Sequence, residues 1–401
     1  MSGQATGPDS APKGGGFDKP RTGHGGTLTI DLGALARNYR ALALRARPAE
    51  TAAAVKGDGY GLGLAPVARA LHGAGCRSFF VAHLSEARAL RAALGTGEAA
   101  IYVLNGLLPG MAPALARIDV RPVLGSLEEI DEWRAFAAGH PAPPAAIQID
   151  TGFTRLGLGK ADIAAIGADP GRLAGFDTAL IMSHLACADE PDHPMNEAQR
   201  ARFAMALKPF APARASLANS AGIALGPGYH FDMVRPGIAL YGGRARIAGA
   251  SEMEPVVHLE VPIIQVRDAA AGSDAGYGAT YRFATESRVA LVSIGYADGL
   301  ARAYGAGTGE MRGRLYLAGI ACPIVGRVSM DVTAIDVTHV PRGAIGRGAM
   351  AQVIGPDQGI DDLARAGGTI GYEVLTRLGL RHTRVYSAAT SRLLQSGAEP
   401  A

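Results

Sequence analysis

Lysine is scarce in this chain: of its 39 basic residues five are lysines, and arginine supplies the rest. One of the five, Lys56, lies between an apolar segment, 51–55, and a glycine-rich turn that extends to Gly63. Unlike arginine, lysine has an amine that loses its proton when it is desolvated and then attacks a carbonyl carbon. A lysine at the end of a strand is ordinarily a solvent-exposed side chain. The motifs elsewhere in the chain decide between these two interpretations.

Cysteine and long apolar runs are scarce as well. The three cysteines are isolated, which argues against a disulfide framework and fits a reducing compartment. No stretch approaches the roughly 20 uncharged apolar residues of a membrane span. The net charge is +3, and the lysines and arginines form no cluster along the sequence, so we expect no nucleic-acid or membrane partner. Residues 1–26 lack the apolar core of a signal peptide, and we expect a flexible tail there and at 391–401, in a cytoplasmic protein.

The length of 401 residues favours two domains. Short apolar segments alternate with amphipathic helices up to about residue 243, and one helix begins with Ser126 followed by Glu129, the pattern of a capping box. Near-continuous apolar composition is typical of parallel strands covered on both faces. Eight such units predict an α/β fold, a (β/α)₈ TIM-type barrel over residues 27–250. The expected strands are Ala53–Val55, Ser78–Ala82, Ala100–Leu104, Arg121–Leu124, Ala146–Asp150, Leu180–Ser183, Ala213–Leu217 and Met233–Tyr241.

The composition changes after residue 243. Segments 256–267, 289–295, 312–318, 322–337 and 350–354 are rich in β-branched and apolar residues and are separated by Gly, Asp and Pro turns. Helical patterns follow at Asp361–Ala366 and from about Gly371. We therefore expect a second, mainly β domain over residues 251–390, a size typical of an independent core.

Polar residues mark the ends of the expected barrel strands. Lys56, Asp150, His184, Asn219 and Arg235 lie at or just beyond these ends, and the carboxyl ends of barrel strands carry the chemistry of such folds. Singly, each has an ordinary interpretation as a cap, an ion-pair partner or a core histidine. Together they suit one ligand with an anionic group, a ring and a carbonyl near the lysine, which is the shape of pyridoxal phosphate (PLP). No His/Cys cluster has metal-ligand spacing.

These motifs carry a resemblance to a known family. From about residue 27 to 386 the chain resembles the alanine racemases, fold-type III PLP enzymes that pair a barrel with a β domain. The motifs stand in family order: 54–61, 150–157, 183–184 with Asp189, 219–221, 235–242, 276–281, 295–299, 326–327 with 330–331, and 372–373.

The resemblance implies a mechanism with two bases. Lys56 would form a Schiff base with PLP and then act as the base on one face of the substrate's α-carbon. Tyr277, from the partner subunit, would act on the opposite face, because racemisation removes a proton on one side and returns one on the other. A hydrogen-bonded chain Tyr277–His184–Arg235 would support this tyrosine. The enzyme would therefore be a homodimer with shared active sites.

The resemblance also assigns binding roles. Arg235 would face the pyridine nitrogen, and Arg155 would approach both the cofactor and the substrate carboxylate. Two positions depart from the common family pattern: Gln148 replaces a lysine whose carbamate steadies Arg155, and Gly57-Asp58-Gly59 replaces Ala-Asn-Ala. Cofactor-binding residues would be Lys56, Tyr60, Arg155, His184, Asn219, Ser220, Arg235, Gly237, Ile238 and Tyr372; substrate-binding residues would be Arg155, Met330 and Tyr296.

The implied activity is the PLP-dependent racemisation of alanine, supplying D-alanine for peptidoglycan. One alternative is a racemase of broader specificity, acting on serine or basic amino acids. A PLP decarboxylase of the same fold would have a carboxylate and a cysteine where Arg235 and Tyr277 stand. A non-catalytic PLP-binding barrel would lack residues 256–386 altogether.

Overall fold

The computed structural model describes residues 25–97, 99–210, 212–247, 249, 251–307 and 313–387. The N-terminal tail expected at 1–26 lies outside this part of the chain except for its last two residues, and the tail expected at 391–401 lies outside it entirely. Within the described ranges, no helix has both the length and the apolar composition needed to cross a bilayer.

The barrel is built from short strands, each followed by a helix or a loop. The long first helix, α1 (Leu32–Ala46), buries Leu35, Tyr39, Leu42 and Ala46 on one face, as its apolar spacing predicts. The strands are β2 (Glu50–Thr51), β3 (Ala53–Ala54), β4 (Ser78–Val81), β5 (Ala100–Val103), β6 (Arg121–Leu124), β7 (Ala145–Gln148), β8 (Thr178–Met182), β9 (Ala215–Ser216) and β10 (Met233–Val234), after β1 (Thr27–Asp31). The helices are α1 (Leu32–Ala46), α2 (Lys56–Tyr60), α3 (Leu64–Gly73), α4 (Leu84–Leu94), α5 (Ala112–Arg117), α6 (Leu127–Ala137), α7 (Lys160–Ala168), α8 (Met195–Ala206) and α9 (Ser220–Leu225).

The strands close into a ring. β3 to β9 form one parallel sheet in chain order, and β2 pairs with β10 in parallel. Main-chain hydrogen bonds continue the ring on both sides of β10: Arg235 N donates to Ala218 O at 2.8 Å, and Ala54 N donates to Pro236 O at 2.9 Å. The predicted fold class, a barrel followed by a mainly β domain, is confirmed.

The eighth strand is shorter than expected. We predicted a strand from Met233 to Tyr241, but β10 ends at Val234 and a 3₁₀ helix occupies Ile238–Tyr241. Pro236 has no N–H to extend the ladder, so the chain turns here instead of continuing as a strand. This turn places Gly237 and Ile238 at the rim of the barrel.

The second domain is mainly β, with two helices near its end. Its strands are β11 (Val257–Ala269), β12 (Asp274–Ala275), β13 (Tyr281–Arg282), β14 (Ser287–Val292), β15 (Arg314–Leu317), β16 (Ile320–Pro323), β17 (Thr333–Asp336), β18 (Met350–Ile354) and β19 (Thr383–Ser387), and its helices are α10 (Ile360–Ala366) and α11 (Gly371–Thr376). The expected strand at 322–337 is two strands, because Gly326 adopts a left-handed φ of 72° and starts the loop that carries Met330.

The first strand of the chain belongs to this second sheet. β1 runs antiparallel to β11 and parallel to β19, so this strand, with its buried Leu28 and Ile30, belongs to the sheet of the β domain and not to the barrel sheet. The domain boundary that we placed at residue 250 stays a prediction. Because β1 pairs with β11 and β19, the sheet of the second domain combines an early segment of the chain with later ones.

Candidate active site

A cleft of about 910 Å³ opens at the carboxyl ends of the barrel strands. The second domain closes one side of it with Ile370, Tyr372 and Glu373 at the start of α11. Its volume is in the range of pockets that hold a cofactor or a drug-sized ligand. All of the expected cofactor-binding residues line this cleft: Lys56, Tyr60, Arg155, His184, Asn219, Ser220, Arg235, Gly237, Ile238 and Tyr372.

Lys56 is followed by one left-handed turn. Gly57, Asp58 and Gly59 have φ values of 66°, 55° and 64°, and Tyr60 continues at 57°. Left-handed backbone costs an ordinary residue about 1–2 kcal/mol and glycine very little, which explains the glycine-rich sequence. The turn directs the chain away from β3 directly after the lysine and returns it to the cleft wall at Tyr60.

The Lys56 amine sits in an environment that disfavours its proton. Burial and the guanidinium of Arg155 lower the pKa of Lys56, and the carboxylate of Glu86 acts in the opposite direction. A lysine with a lowered pKa is a nucleophile and a base at pH values where an ordinary lysine is protonated. This environment favours the chemical interpretation of Lys56 over that of a surface lysine.

Arg155 is carried by a tightly bonded loop. One oxygen of Asp150 accepts from Gly152 N and Phe153 N, both at 2.8 Å, and so folds the start of the loop. Gln148 donates to the carbonyl of Leu156 at 2.8 Å, and this contact fixes the far side of the loop. Gln148 therefore steadies the loop of Arg155 through the backbone carbonyl of Leu156.

The phenyl ring of Phe153, backed by the imidazole ring of His184, supports the Arg155 side chain. Its guanidinium carbon lies 4.2 Å from the ring centre of Phe153, a cation–π contact. Phe153 in turn meets the His184 ring edge-on, with 5.7 Å between centroids. Burial, together with Arg235, Arg155 and Lys56, lowers the pKa of His184 to about 3. His184 is therefore uncharged at neutral pH.

Arg235 is buried at the base of the cleft. It donates to the carbonyl of Ser183 at 2.6 Å and to the hydroxyl of Ser216, and its guanidinium carbon lies 5.8 Å from the ring centre of Phe80. Burial lowers its pKa to about 9, which leaves it charged at neutral pH. Its bonds to Ser183 and Ser216 replace the expected bond to His184, and no carboxylate pairs with it among the described residues.

A corner of the cleft collects hydroxyl and amide donors. Ser220 Oγ accepts from Gly237 N at 2.9 Å and from Ala239 N at 3.3 Å, so the start of α9 and the turn after β10 are joined. The rings of Tyr60 and Tyr372 lie 6.2 Å apart between centroids. Burial raises the pKa of Tyr372 to about 12, which keeps its hydroxyl protonated as a donor.

Three of the expected residues of the second domain do not line this cleft. Tyr277, Tyr296 and Met330 are 70%, 43% and 52% exposed, and none of them is among the described residues that line it. Arg381 bonds both Asp298 and Asp331 and thereby holds the two loops of Tyr296 and Met330 side by side. The side chains of Tyr277, Tyr296 and Met330 therefore face solvent in the single chain.

Sequence reasoning missed two residues of the site. Glu86 lines the cleft and accepts hydrogen bonds from the turn after Lys56. Its position three residues after His83, at the start of α4, is a capping pattern that the sequence does display. Phe153 lies in the motif 150–157, but no role was predicted for it, and no sequence signal shows that its ring supports Arg155.

Comparisons with known proteins agree with this geometry. The family models described as "Alanine racemase, N-terminal domain" and "Alanine racemase, C-terminal domain" match residues 30–245 and 256–386. A "catabolic" alanine racemase of Agrobacterium fabrum is 47% identical over 380 residues, which are 94% of this chain and 95% of that protein. A "biosynthetic" alanine racemase of the same organism is 46% identical over 369 residues, 90% of this chain and 94% of that protein.

A solved structure is similar throughout. The crystal structure of alanine racemase from Bartonella henselae with covalently bound pyridoxal phosphate superposes with a TM-score of 0.86 at 36% identity, covering 90% of this chain and 99% of that one. The two family models and these relatives therefore cover both the barrel and the second domain. The chain belongs to the alanine racemase family.

Proposed function

We propose that this chain interconverts L-alanine and D-alanine with pyridoxal phosphate held by Lys56. The observation that carries the proposal is the place of Lys56, whose amine has a lowered pKa and lines a cleft shared by all of the expected cofactor-binding residues. Pyridoxal phosphate is covalently bound in the Bartonella henselae relative. An amine that is easily deprotonated beside anion-binding groups suits that cofactor.

The donors in the cleft fit a phosphorylated ring. The hydroxyls of Ser220, Tyr60 and Tyr372 and the N–H of Ile238 give the hydroxyl and amide donors that a phosphate group requires. The N–H of Gly237 donates to Ser220 Oγ and so positions that hydroxyl in the cleft. A Cβ at Gly237 would meet the hydroxyl of Tyr60, so the space beside this glycine does not admit a larger residue. When bound, the cofactor withdraws electrons from the substrate's α-carbon and acidifies its hydrogen.

Two cations would then divide the remaining tasks. Arg155 offers a planar fork of donors to the substrate carboxylate, and its rigid loop orients that fork. Arg235, fixed by Ser183 and Ser216, would face the ring nitrogen. Because arginine keeps its proton, a nitrogen that faces it stays unprotonated, so less negative charge is drawn from the α-carbon and proton return is favoured over other reactions.

The second base would come from another copy of the chain. Tyr277 is 70% exposed and lies outside the cleft of its own chain, together with Met330 and Tyr296. Racemisation needs a proton acceptor on one face and a proton donor on the other, and Lys56 supplies one face only. We therefore propose a homodimer in which Tyr277 of each subunit completes the cleft of its partner.

Mixing two inactive variants tests this arrangement. Lys56→Ala and Tyr277→Phe subunits should each be inactive alone, but a hybrid dimer retains one cleft with both native residues. Random exchange at equal amounts should restore about a quarter of the wild-type activity, since half of the dimers are hybrids with one working cleft. Analytical sedimentation measures whether the chain is a dimer. Co-purification of the untagged variant with a tagged variant measures whether the subunits have exchanged. No recovery after confirmed exchange would remove the shared cleft from the mechanism.

The substrate and the metabolic role need separate measurements. We propose alanine as the main substrate and peptidoglycan supply as the role, although relatives named "catabolic" and "biosynthetic" are equally similar to this chain. Chiral chromatography of products from a panel of L-amino acids identifies the substrate. Growth of a bacterial strain that requires D-alanine, with this chain expressed, tests whether the rate suffices for the cell wall.

A further inference from the structure

The carboxylate of Glu86 joins two loops of the barrel. Its Oε1 accepts from Gly57 N at 2.6 Å and from Asp58 N at 3.3 Å. Its Oε2 accepts from Ala82 N at 2.8 Å and from His83 N at 3.2 Å. One side chain therefore connects the turn that follows Lys56 to the loop between β4 and α4.

The turn depends on an external acceptor. Gly59 N and Gly61 N bond to carbonyls within the segment 55–61, at Val55 and Gly57, whereas the N–H groups of Gly57 and Asp58 are directed to Glu86. Asp58 has a left-handed φ of 55° without being a glycine, a conformation that persists only when surrounding contacts enforce it. The Glu86 carboxylate supplies contacts of that kind at the residues directly after the lysine.

We propose that Glu86 is a positioning residue for Lys56: by holding the amides of Gly57 and Asp58, it fixes the lysine backbone and so the place of the amine in the cleft. This rests on the proposed function, in which Lys56 holds the cofactor. Glu86 does not need to touch the reacting atoms. Its effect passes through the two peptide groups that follow the lysine.

The charge of Glu86 acts on the same amine. Lys56 faces Arg155 and His184 across the cleft, and of these Arg155 lowers its pKa. Glu86 is the carboxylate that raises this pKa, although burial and Arg155 outweigh it. A variant that keeps the charge but shortens the side chain separates this electrostatic effect from the hydrogen bonds.

The chain offers a matched control in Glu129. It stands at the third position of α6, as Glu86 does in α4. Its Oε2 accepts from Gly125 N at 2.5 Å, and its Oε1 accepts from Leu107 N at 3.1 Å in the preceding loop. Glu129 makes the same kind of loop-to-loop connection, but it does not belong to the described residues that line the cleft.

The experiment compares E86D and E86Q with E129D and E129Q in the full chain. Aspartate keeps the charge and is one methylene too short to hold both loops. Glutamine keeps the length but turns a donor toward one pair of N–H groups. After removal of the cofactor, PLP affinity is measured by absorbance titration, folding by far-UV circular dichroism, and kcat and KM for alanine on the reconstituted enzymes.

Both Glu86 variants should bind PLP at least about tenfold more weakly, a change of roughly 1.4 kcal/mol, with a fall in kcat larger than the change in KM. Both Glu129 variants should stay within about twofold of wild type in PLP affinity and kcat, while losing a similar amount of thermal stability. Hydrogen exchange of segment 57–63 should accelerate in E86D.

Three results would overturn the inference. The first is wild-type PLP affinity in E86D, and the second is a loss of PLP affinity in E129D equal to that in E86D. The third is loss of the folded circular dichroism signal in both Glu86 variants while the Glu129 variants fold, which would make Glu86 a residue required for folding. A wild-type chain that neither binds PLP nor racemises alanine would instead contradict the proposed function, so the two failures are distinct.

Discussion

Replacing Gly237 with alanine tests the geometry of the donor corner. The φ of −124° at Gly237 lies outside the left-handed region that favours glycine, and an added side chain would meet Tyr60. A Cβ at this position lies 3.0 Å from Cζ of Tyr60 and closer still to its hydroxyl oxygen. Tyr60 is 7% exposed and stacks on Tyr241 with 4.4 Å between ring centroids, which prevents the ring from moving aside.

The magnitude follows from overpacking. Extra atoms in a closely packed site typically destabilise by about 1–3 kcal/mol, and we expect a loss of about 2 kcal/mol for Gly237→Ala. The strain is relieved if the turn withdraws from Tyr60, which lengthens the 2.9 Å bond from Gly237 N to Ser220 and disturbs the donors at that corner. If roughly 1.4 kcal/mol of this strain falls on the cofactor-bound form, PLP affinity should fall about tenfold.

The assay combines a thermal melt with an absorbance titration of cofactor-stripped protein. Gly228→Ala is the control, because Gly228 lies in the 3₁₀ helix Pro227–Tyr229 and a Cβ there meets no atom within 4 Å. Tyr60→Phe removes the hydroxyl in closest contact, so Gly237→Ala should be less damaging in that background, with a coupling of about 1 kcal/mol. Wild-type stability and affinity in Gly237→Ala, or additive effects in the double variant, would refute this reasoning.

Three further predictions concern burial, charge and the loops of the second domain. Burial, and then neighbouring cations, lower the pKa of His184 from the ordinary 6.5 to about 3. Between pH 3 and 6.5 the unfolded chain therefore binds more protons at this residue than the folded chain does. The free energy of unfolding should rise with pH across that window, and urea titrations of His184→Gln should show a flatter rise. Trp133→Ala, at a fully buried position, should lower the free energy of unfolding by about 3–5 kcal/mol in denaturant titrations. Arg381→Gln releases Asp298 and Asp331, and steady-state kinetics should show a larger rise in KM than fall in kcat.

The rim of the barrel could be predicted from the sequence because the signal is local. Lys56, His184 and Arg235 each follow an apolar segment, and parallel strands of a closed barrel bring their carboxyl ends to one rim. Hence residues separated by up to about 180 positions could be grouped before any contact between them was known. The family motifs then supplied roles that spacing alone leaves open.

Long-range pairings could not be predicted in the same way. The alternation of buried Leu28 and Ile30 in β1 indicates a strand, but it does not indicate that the partners are β11 and β19. Similarly, the capping pattern at Glu86 fixes the bonds to its own helix and not those to the turn after Lys56. Each of these features depends on which segment the fold places alongside, and no local pattern carries that information.

The scarcity of lysine acquires a chemical meaning in the cleft. Among the described residues, three cationic side chains line it, and two of them, Arg155 and Arg235, are arginines. Arginine keeps its proton even when burial lowers the pKa of Arg235 to about 9, so Arg235 remains charged at neutral pH. Lys56 is the one lysine among the described residues of the cleft, and burial, followed by the guanidinium of Arg155, lowers its pKa. Arginine at the other two positions therefore confines nucleophilic amine chemistry to a single atom, which a second lysine in the cleft would not do.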